Sequence, residues 1–328
     1  MFMDGEADQK EEMVSESLPQ EQPKHRERVW EIDFLRGAAI LGMVIDHLLY
    51  DLSALDSYFY NFNEVASEGL KSFVKQMNSY FFGPVRYFFH SLACLFFVMS
   101  GISCSFSRSN FKHGGKILLF AGLITLFTYS LYFITYAMGS AIDIRILFGV
   151  LYVLGMGVLL VAVIQKIPGS KWIELGLGLA ILTFGFIYPV LTKYKGAITD
   201  WPSFWEHIFF FFDASPWVGF YKFDEAPDWF AKLTGFDVPT FFKSMFGFAQ
   251  AGSDYFSFIP WVGFTLIGAF LGQTIYKEKK SLLPRLNPKW HRPVDWFGSK
   301  SLYVYALHQP FWLIVLLLIF LPMGFRMF

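Results

Sequence analysis

An apolar segment near the start of the chain carries side chains whose types and spacing suit group transfer. Residues 30–52, WEIDFLRGAAILGMVIDHLLYDL, contain Asp33, Arg36, Asp46, His47 and Asp51. On a helix, the eleven positions from Arg36 to His47 place both side chains on one face, about 16 Å apart along the axis. Asp33 precedes Arg36 by three positions and Asp51 follows His47 by four, so each carboxylate can pair with its neighbour. An arginine at one end and a carboxylate-oriented imidazole at the other would suit a donor that reaches along the helix to an acceptor.

The alternative interpretation of this segment is structural. Asp33 and Arg36 would then form an ion pair that only stabilises the helix, and His47 would pack near an interface. The five ionisable groups exceed the needs of packing, because each is costly inside a membrane. Gly37 and Gly42 also leave room for a partner or ligand to approach closely. We therefore favour a functional role for this helix.

A second group of polar side chains lies between residues 90 and 116. His90 lies near the outer end of an apolar stretch, and Ser100 lies toward its cytoplasmic end. Arg108, Lys112 and Lys116 then form a short cationic cluster. Hydroxyl side chains in membrane helices usually bond the preceding turn, and flanking cations are usual on the cytoplasmic side. A site for an anionic ligand is an equally supported explanation of the cations.

The last apolar segment carries a third group, in SKSLYVYALHQPFW. Ser301, Tyr305 and His308 are spaced i, i+4 and i+7, so they line one face of a helix. Pro310 follows closely and interrupts the backbone hydrogen bonds of such a helix. A histidine satisfied within the fold and a histidine that contacts a ligand are equally consistent with this pattern.

Composition identifies the elements that must position these groups as membrane helices. Hydrophobic residues make up 54% of the 328-residue chain and charged residues only 16%, against roughly 25% charged residues in soluble domains. The 41 phenylalanines would have no place in a soluble protein except an improbable core or an aggregating surface. Acidic and basic residues number 27 each, so no basic field exists to hold nucleic acid. The sequence predicts an all-α, polytopic integral membrane protein.

Seven apolar stretches have about the 20-residue length that a helix needs to cross a bilayer. They are residues 31–52, 85–107, 115–138, 142–165, 172–193, 255–276 and 301–321. Connections rich in Lys and Arg stay in the cytoplasm. The basic segments lie before the first stretch and after the second, fourth and sixth, so all of them fall on one side. This pattern predicts a cytoplasmic N-terminus and a C-terminus outside.

The remaining segments complete the predicted organisation. We expect residues 1–28 to be a disordered cytoplasmic tail and residues 29–328 to form one transmembrane domain with a long extracytoplasmic loop at 194–254. Within that loop, residues 203–212 are apolar but too tightly bounded by prolines to cross, which predicts an interfacial or re-entrant helix. Its tryptophans would lie at the level of the lipid headgroups: Trp201, Trp205 and Trp217.

Several chemistries lack their motifs in this sequence. The chain contains no HExxH metal motif, no GxSxG elbow and no Walker glycine loop. No set of Cys and His has the spacing of metal ligands. We therefore predict no metal site.

Four blocks carry a family resemblance: RVWEIDFLRGAAILGMVIDHLLYDL, SLACLFFVMSGISCSFSR, DYFSFIPWVGFTLIGAFLG and FGSKSLYVYALHQPF. In this order they resemble the heparan-α-glucosaminide N-acetyltransferase catalytic-domain family, in its shorter bacterial form. The first block is also similar to the wider transmembrane acyltransferase superfamily, in which an Arg-Gly pair is followed by a His at this spacing.

The resemblance implies an acyl-CoA-dependent transmembrane acyltransferase of the bacterial inner (cytoplasmic) membrane, surrounded by membrane lipid. An acyl group, with acetyl as the expected one, would pass from cytoplasmic acyl-CoA to a hydroxyl or amine of an extracytoplasmic saccharide or glycolipid. His47 would act as the catalytic base with Asp51. Acyl-CoA would be held by Asp33, Arg36, Gly37, Arg108, Lys112 and Lys116. Further candidates for the lining of the site are His90, Ser100, Ser301, Tyr305 and His308.

A transporter or flippase for a small anion or lipid-linked sugar is the alternative function, because it also accounts for buried charges. Transporters of this kind often contain paired repeats with broken helices at matching positions. No such repeat is evident in the sequence, which favours the acyltransferase. Direct transfer and a transient acyl-histidine both remain open as routes.

Overall fold

The computed structural model describes residues 29–81, 84–137, 145–193, 241–242, 245, 254–284 and 289–327. The main helices are α1 (Trp30–Ser53), α2 (Leu55–Tyr58), α3 (Phe62–Val65), α4 (Glu68–Phe81), α5 (Pro84–Cys104), α6 (Asn110–Ala137), α7 (Val150–Ile164), α8 (Ser170–Lys193), α9 (Phe258–Thr274), α10 (Arg292–Ser299) and α11 (Ser301–Phe320). A 3₁₀ turn, Leu321–Met323, follows α11. These residues contain no β-strand, so the all-α prediction is confirmed for this part of the chain.

The centre of the described fold is α7. Its residues are apolar throughout, and side chains on every side of it are buried, including Val153, Val158 and Val161. A helix that is apolar all round belongs inside a protein or membrane bundle. Helices α5, α6, α8 and α9 all contact α7, and α9 also packs against α5 and α8. Helix α1 contacts both α5 and α11.

Helices α5 and α9 approach each other closely because small residues line their contact. A Cβ atom added at Gly101 would collide with the backbone carbonyl of Thr265, and one at Gly268 would collide with the carbonyl of Val98. Helix pairs in membrane proteins commonly meet through such small residues. Helix α5 in turn packs against α1 and bonds Arg36 through Ser103.

The helices fall close to the predicted apolar stretches, with one clear difference. The fourth stretch was expected at 142–165, but α7 begins only at Val150, and the residues 145–149 before it are not helical. Gly149 has an extended backbone there and takes the N-cap position. The 15 residues of α7 would be about 22 Å long, less than the roughly 30 Å hydrocarbon core.

Two described helices, Asn110–Ala137 and Ser301–Met323, are long and apolar enough to cross a membrane. The seven-span topology therefore stays a prediction. The predicted tail at 1–28 and the predicted helix at 203–212, with Trp201, Trp205 and Trp217, lie outside the described residues.

Candidate functional site

The guanidinium of Arg36 joins α1 to α5. Its Nη1 lies 3.4 Å from Asp33 Oδ1, and its Nη2 donates a hydrogen bond to Ser103 Oγ. Ser103 in turn donates to the carbonyl oxygen of Met99 at 2.6 Å. Arg36 and Asp33 are both partly buried, with side-chain exposures of 18% and 13%. The predicted Asp33–Arg36 pair is present, and Ser103 is a partner that the sequence argument did not assign to the site.

The cationic cluster lies at the same end of the bundle. Arg108 is exposed in the link between α5 and α6, and Lys112 and Lys116 are exposed on the first turns of α6. Arg36 and Lys116 both interact electrostatically with His113, which brings the cation of α1 and this cluster into one neighbourhood. A group of cations around one partly buried guanidinium can attract a phosphorylated ligand.

The structure differs from the predicted ligand contact at Gly37. A Cβ atom at Gly37 would collide with the backbone carbonyl of Val294, and one at Gly298 would collide with the carbonyl of Asp33. Helix α10 therefore rests directly on the backbone of α1 at this point. The space on the Cβ side of Gly37 is taken up by this helix contact, so a ligand would have to approach Gly37 from another side.

The imidazole of His47 is held by its own helix. Its Nδ1 lies 3.0 Å from the carbonyl oxygen of Met43, one turn earlier. A carbonyl can only accept, so a neutral His47 carries its proton on Nδ1 and leaves the lone pair on Nε2. An imidazole in this tautomer can act as a base through Nε2.

His308 lies directly beside His47. The two ring centroids are 4.6 Å apart, and the rings are inclined at 86°. His308 Nδ1 lies 2.6 Å from the carbonyl oxygen of Tyr305. Its Nε2 is buried and has no hydrogen-bond partner among the residues that the structure describes. The predicted face of α11 thus brings a second imidazole, with its lone pair on Nε2, to the site.

Asp51 does not hold the His47 ring as predicted. Its carboxylate accepts hydrogen bonds from Tyr58 OH at 2.8 Å and from Gln309 Nε2 at 2.9 Å, while the His47 Nδ1 faces Met43. Burial, and then the charge of Asp51, raises the pKa of Tyr58, so the phenol stays protonated and donates. Asp51 still interacts electrostatically with His47. The i, i+4 spacing would allow Asp51 to pair with His47. The Asp51 carboxylate instead accepts hydrogen bonds from neutral donors on two other helices, α2 and α11.

A carboxylate that the sequence argument did not select completes this group. Asp254 accepts a hydrogen bond from Tyr305 OH and one from the backbone N–H of Val150, and it interacts electrostatically with His47. It is the first residue of the block DYFSFIPWVGFTLIGAFLG, so its place in that block was the available signal. Near it, the N–H of Phe256 donates to the carbonyl of Phe148 at 3.3 Å, so the starts of α7 and α9 lie together.

Three further candidates were predicted to line the site: Ser301, Ser100 and His90. Ser301 is the first residue of α11, one turn before Tyr305, and is partly exposed. The carbonyl of Ser100 accepts a contact from Cys104 Sγ at 3.6 Å, which is the role expected for a residue in the helix wall. His90 belongs to α5, and its side chain is not among those described. Within the described residues, no group of three or more His, Cys, Asp or Glu side chains could hold a metal ion.

Comparison with known proteins identifies the family. The profile of the family described as heparan-alpha-glucosaminide N-acetyltransferase, catalytic, matches residues 28–223 and 226–310. The match covers most of the chain and includes α1, α5 and the segment from Asp254 through Gln309. The chain belongs to this family, and the resemblance seen in the sequence is confirmed.

No curated protein matches the chain. No solved structure matches it either. The functional assignment at the level of the family is that of a transmembrane acetyltransferase-like protein.

Proposed function

We propose that this protein moves an acyl group, with acetyl as the expected one, from cytoplasmic acyl-CoA to a hydroxyl or amine of an extracytoplasmic saccharide or glycolipid. The observation that carries the proposal is the placement of Arg36 and His47 on one helix, each within a group of polar side chains from other helices. Eleven residues of helix separate them by about 16 Å. The family provides the acetyl-transfer chemistry.

The donor end of the site is the group around Arg36. Its guanidinium is positioned by Asp33 and Ser103, and the exposed cations Arg108, Lys112 and Lys116 surround the same end of the bundle. Phosphate groups of acyl-CoA would bind these cations through charge-assisted hydrogen bonds. The thioester at the far end of the pantetheine arm would then reach toward His47.

The acceptor end of the site is the group around His47. In the proposed reaction, His47 Nε2 takes a proton from the acceptor hydroxyl or amine as the acceptor atom bonds to the acyl carbon. The C–S bond breaks with its electron pair on sulfur, and the proton then passes to the CoA thiolate. The charge of Asp51 favours the imidazolium that forms in between. The same arrangement accommodates a transient acyl-histidine, in which His47 Nε2 itself attacks the thioester.

This proposal places the protein in the bacterial inner membrane, with the N-terminus in the cytoplasm and the C-terminus outside. Support comes from the same-side distribution of the basic connections. The long segment 194–254 would then lie on the acceptor side. Helices α7 and α9 both begin near Asp254.

Sealed inside-out membrane vesicles test the transmembrane direction. Radiolabelled acetyl-CoA is added outside, where the cytoplasmic face is exposed, and a cell-envelope glycan extract is enclosed within. We expect label on the enclosed glycan with the wild type and with Ile45→Ala, a change at an exposed side chain of the same helix. His47→Ala should give about a hundredth of the wild-type label or less.

Two results would contradict the proposal. Transfer only when glycan and acetyl-CoA share the cytoplasmic side would exclude transfer across the membrane. Uptake of an intact small anion or sugar without any acylated product would favour the transporter.

A further inference from the structure

Asp254 and Tyr305 form a pair that the proposed reaction does not yet use. The Tyr305 hydroxyl donates to Asp254 Oδ2, and both side chains are buried or largely so. The backbone N–H of Val150, the first residue of α7, donates to the same carboxylate. Asp254 is thereby held at the junction of α7, α9 and α11.

This junction lies next to the two imidazoles. The carbonyl of Tyr305 accepts the hydrogen bond from His308 Nδ1, and the His308 ring packs edge-on against His47. Asp254 reaches this neighbourhood through Tyr305, whose ring centroid lies 5.7 Å from that of His308, and the His308 centroid lies 4.6 Å from that of His47. Asp51 lies on α1, one turn after His47. Asp254 lies just before α9 and is bonded to Tyr305 of α11.

We propose that Asp254 and Tyr305 are positioning residues of the acceptor site, and that the Asp254 carboxylate is the counter-charge for the imidazolium that His47 becomes during transfer. This inference rests on the proposed function. When the acceptor proton moves to His47 Nε2, a positive charge forms in a largely buried site. A fixed carboxylate nearby stabilises that charge and requires no rearrangement at the moment of reaction. The charge disappears when the proton moves on to the CoA thiolate.

A purely structural role is the competing explanation, because Asp254 also accepts from the first N–H of α7. An amide oxygen of Asn can accept this hydrogen bond as a carboxylate oxygen does, whereas Ala has no acceptor. Asp254→Asn removes the charge but keeps an amide oxygen that can accept from the Val150 N–H, and its NH2 group can donate to the Tyr305 hydroxyl oxygen. The two explanations predict different results for this one variant.

The experiment measures kcat and the KM for acetyl-CoA in reconstituted wild-type protein, Asp254→Asn and Tyr305→Phe. We expect Asp254→Asn to lose about ten-fold or more in kcat, because an electrostatic stabiliser of the transfer step is removed. Its KM for acetyl-CoA should not change, because the donor group lies about 16 Å away along α1. Tyr305→Phe should show a smaller loss in kcat, again with an unchanged KM, because the carboxylate keeps its charge but loses its holding hydroxyl.

Two matched variants serve as controls. Tyr303→Phe changes an exposed tyrosine two positions earlier on the same helix, and Asp56→Asn changes an exposed carboxylate of α2. Both should retain wild-type kcat. Wild-type kcat in Asp254→Asn would overturn the counter-charge role and leave Asp254 with only a structural role at the start of α7. If Asp254→Asn does not fold, wild-type kcat in Tyr305→Phe would overturn the pair. Failure of the proposed function looks different, because the wild type itself would then transfer no acyl group.

Discussion

The imidazole rings of His47 and His308 lie 4.6 Å apart and nearly perpendicular, at 86°, on neighbouring helices of the bundle. Each ring directs Nδ1 to a backbone carbonyl of its own helix, at 3.0 Å for His47 and 2.6 Å for His308. Both rings therefore present a lone pair on Nε2 when neutral. A neutral imidazole of this tautomer can accept a proton at Nε2.

His308 provides a prediction that separates function from stability. Its Nε2 is buried without a partner among the described residues, and the residue is 8% exposed. His308→Leu removes this unsatisfied atom. We therefore expect the free energy of unfolding to stay equal or to rise by about 1 kcal/mol. The rate of acyl transfer should fall in the same variant. Thermal unfolding in detergent and a transfer assay measure the two effects, and unchanged transfer would remove His308 from the site.

Arg36 provides the prediction for the donor end. Arg36→Ala should weaken acyl-CoA binding about ten-fold to hundred-fold, since a charge-assisted hydrogen bond contributes roughly 1.5–3 kcal/mol. Arg36→Lys should restore binding only in part, because an ammonium lacks the planar fork that reaches Asp33 and Ser103 together. Arg108→Ala should weaken binding less, because Arg108 is exposed.

Calorimetry with a non-hydrolysable acyl-CoA measures these affinities. Lys71→Ala, on α4, changes a cation in the connection that follows α1 and is the matched control with unchanged affinity. Wild-type affinity in both Arg36→Ala and Arg108→Ala would place the donor site elsewhere.

The positions of the long apolar helices, apart from the late start of α7, could be predicted because they depend on local rules. The same holds for the face that Arg36 and His47 share. Apolar length marks a helix, and the 3.6-residue period fixes which side chains share a face. The partners of Asp51 and the presence of Asp254 could not be predicted in this way. Both depend on how separate helices pack. The sequence period of one helix does not reveal which side chains of another helix will contact it.

The contact at Gly37 also depends on how separate helices pack, and it provides a prediction for stability. The sequence shows that a small residue is present, but only the structure shows that α10 occupies the space next to it. Gly37→Val should destabilise the protein by about 1–3 kcal/mol, because a backbone carbonyl cannot move aside as a side chain can. Gly115→Ala is the matched control, since a Cβ atom there would meet nothing within 4 Å. Equal stability of the two variants in denaturant unfolding would contradict the close contact.

A buried carboxyl group near the C-terminal ends of α7 and α9 provides a fourth prediction. Glu174 is 0% exposed and accepts hydrogen bonds from Gln165 Nε2 at 3.2 Å and Gln273 Nε2 at 2.7 Å. Glu174→Ala should cost about 1–3 kcal/mol, because two partly buried amide donors lose their acceptor at roughly 0.5–1.5 kcal/mol each. Glu174→Gln keeps an acceptor oxygen and should cost less than half as much. Denaturant unfolding measures both variants, and equal losses would show that the charge, not the hydrogen bonding, stabilises this junction.

In the proposed mechanism, His47 acts as the base for acyl transfer, while Arg36 and its neighbours hold the acyl-CoA donor. The most direct test compares wild-type protein with His47→Ala in two measurements on the same purified sample, the transfer of label from radiolabelled acetyl-CoA and the affinity for a non-hydrolysable acyl-CoA. We predict that transfer falls by about a hundred-fold or more, the usual contribution of a general base. Acyl-CoA affinity should stay within about two-fold of the wild type, which is less than about 0.5 kcal/mol. Full turnover by a folded His47→Ala protein would contradict the account.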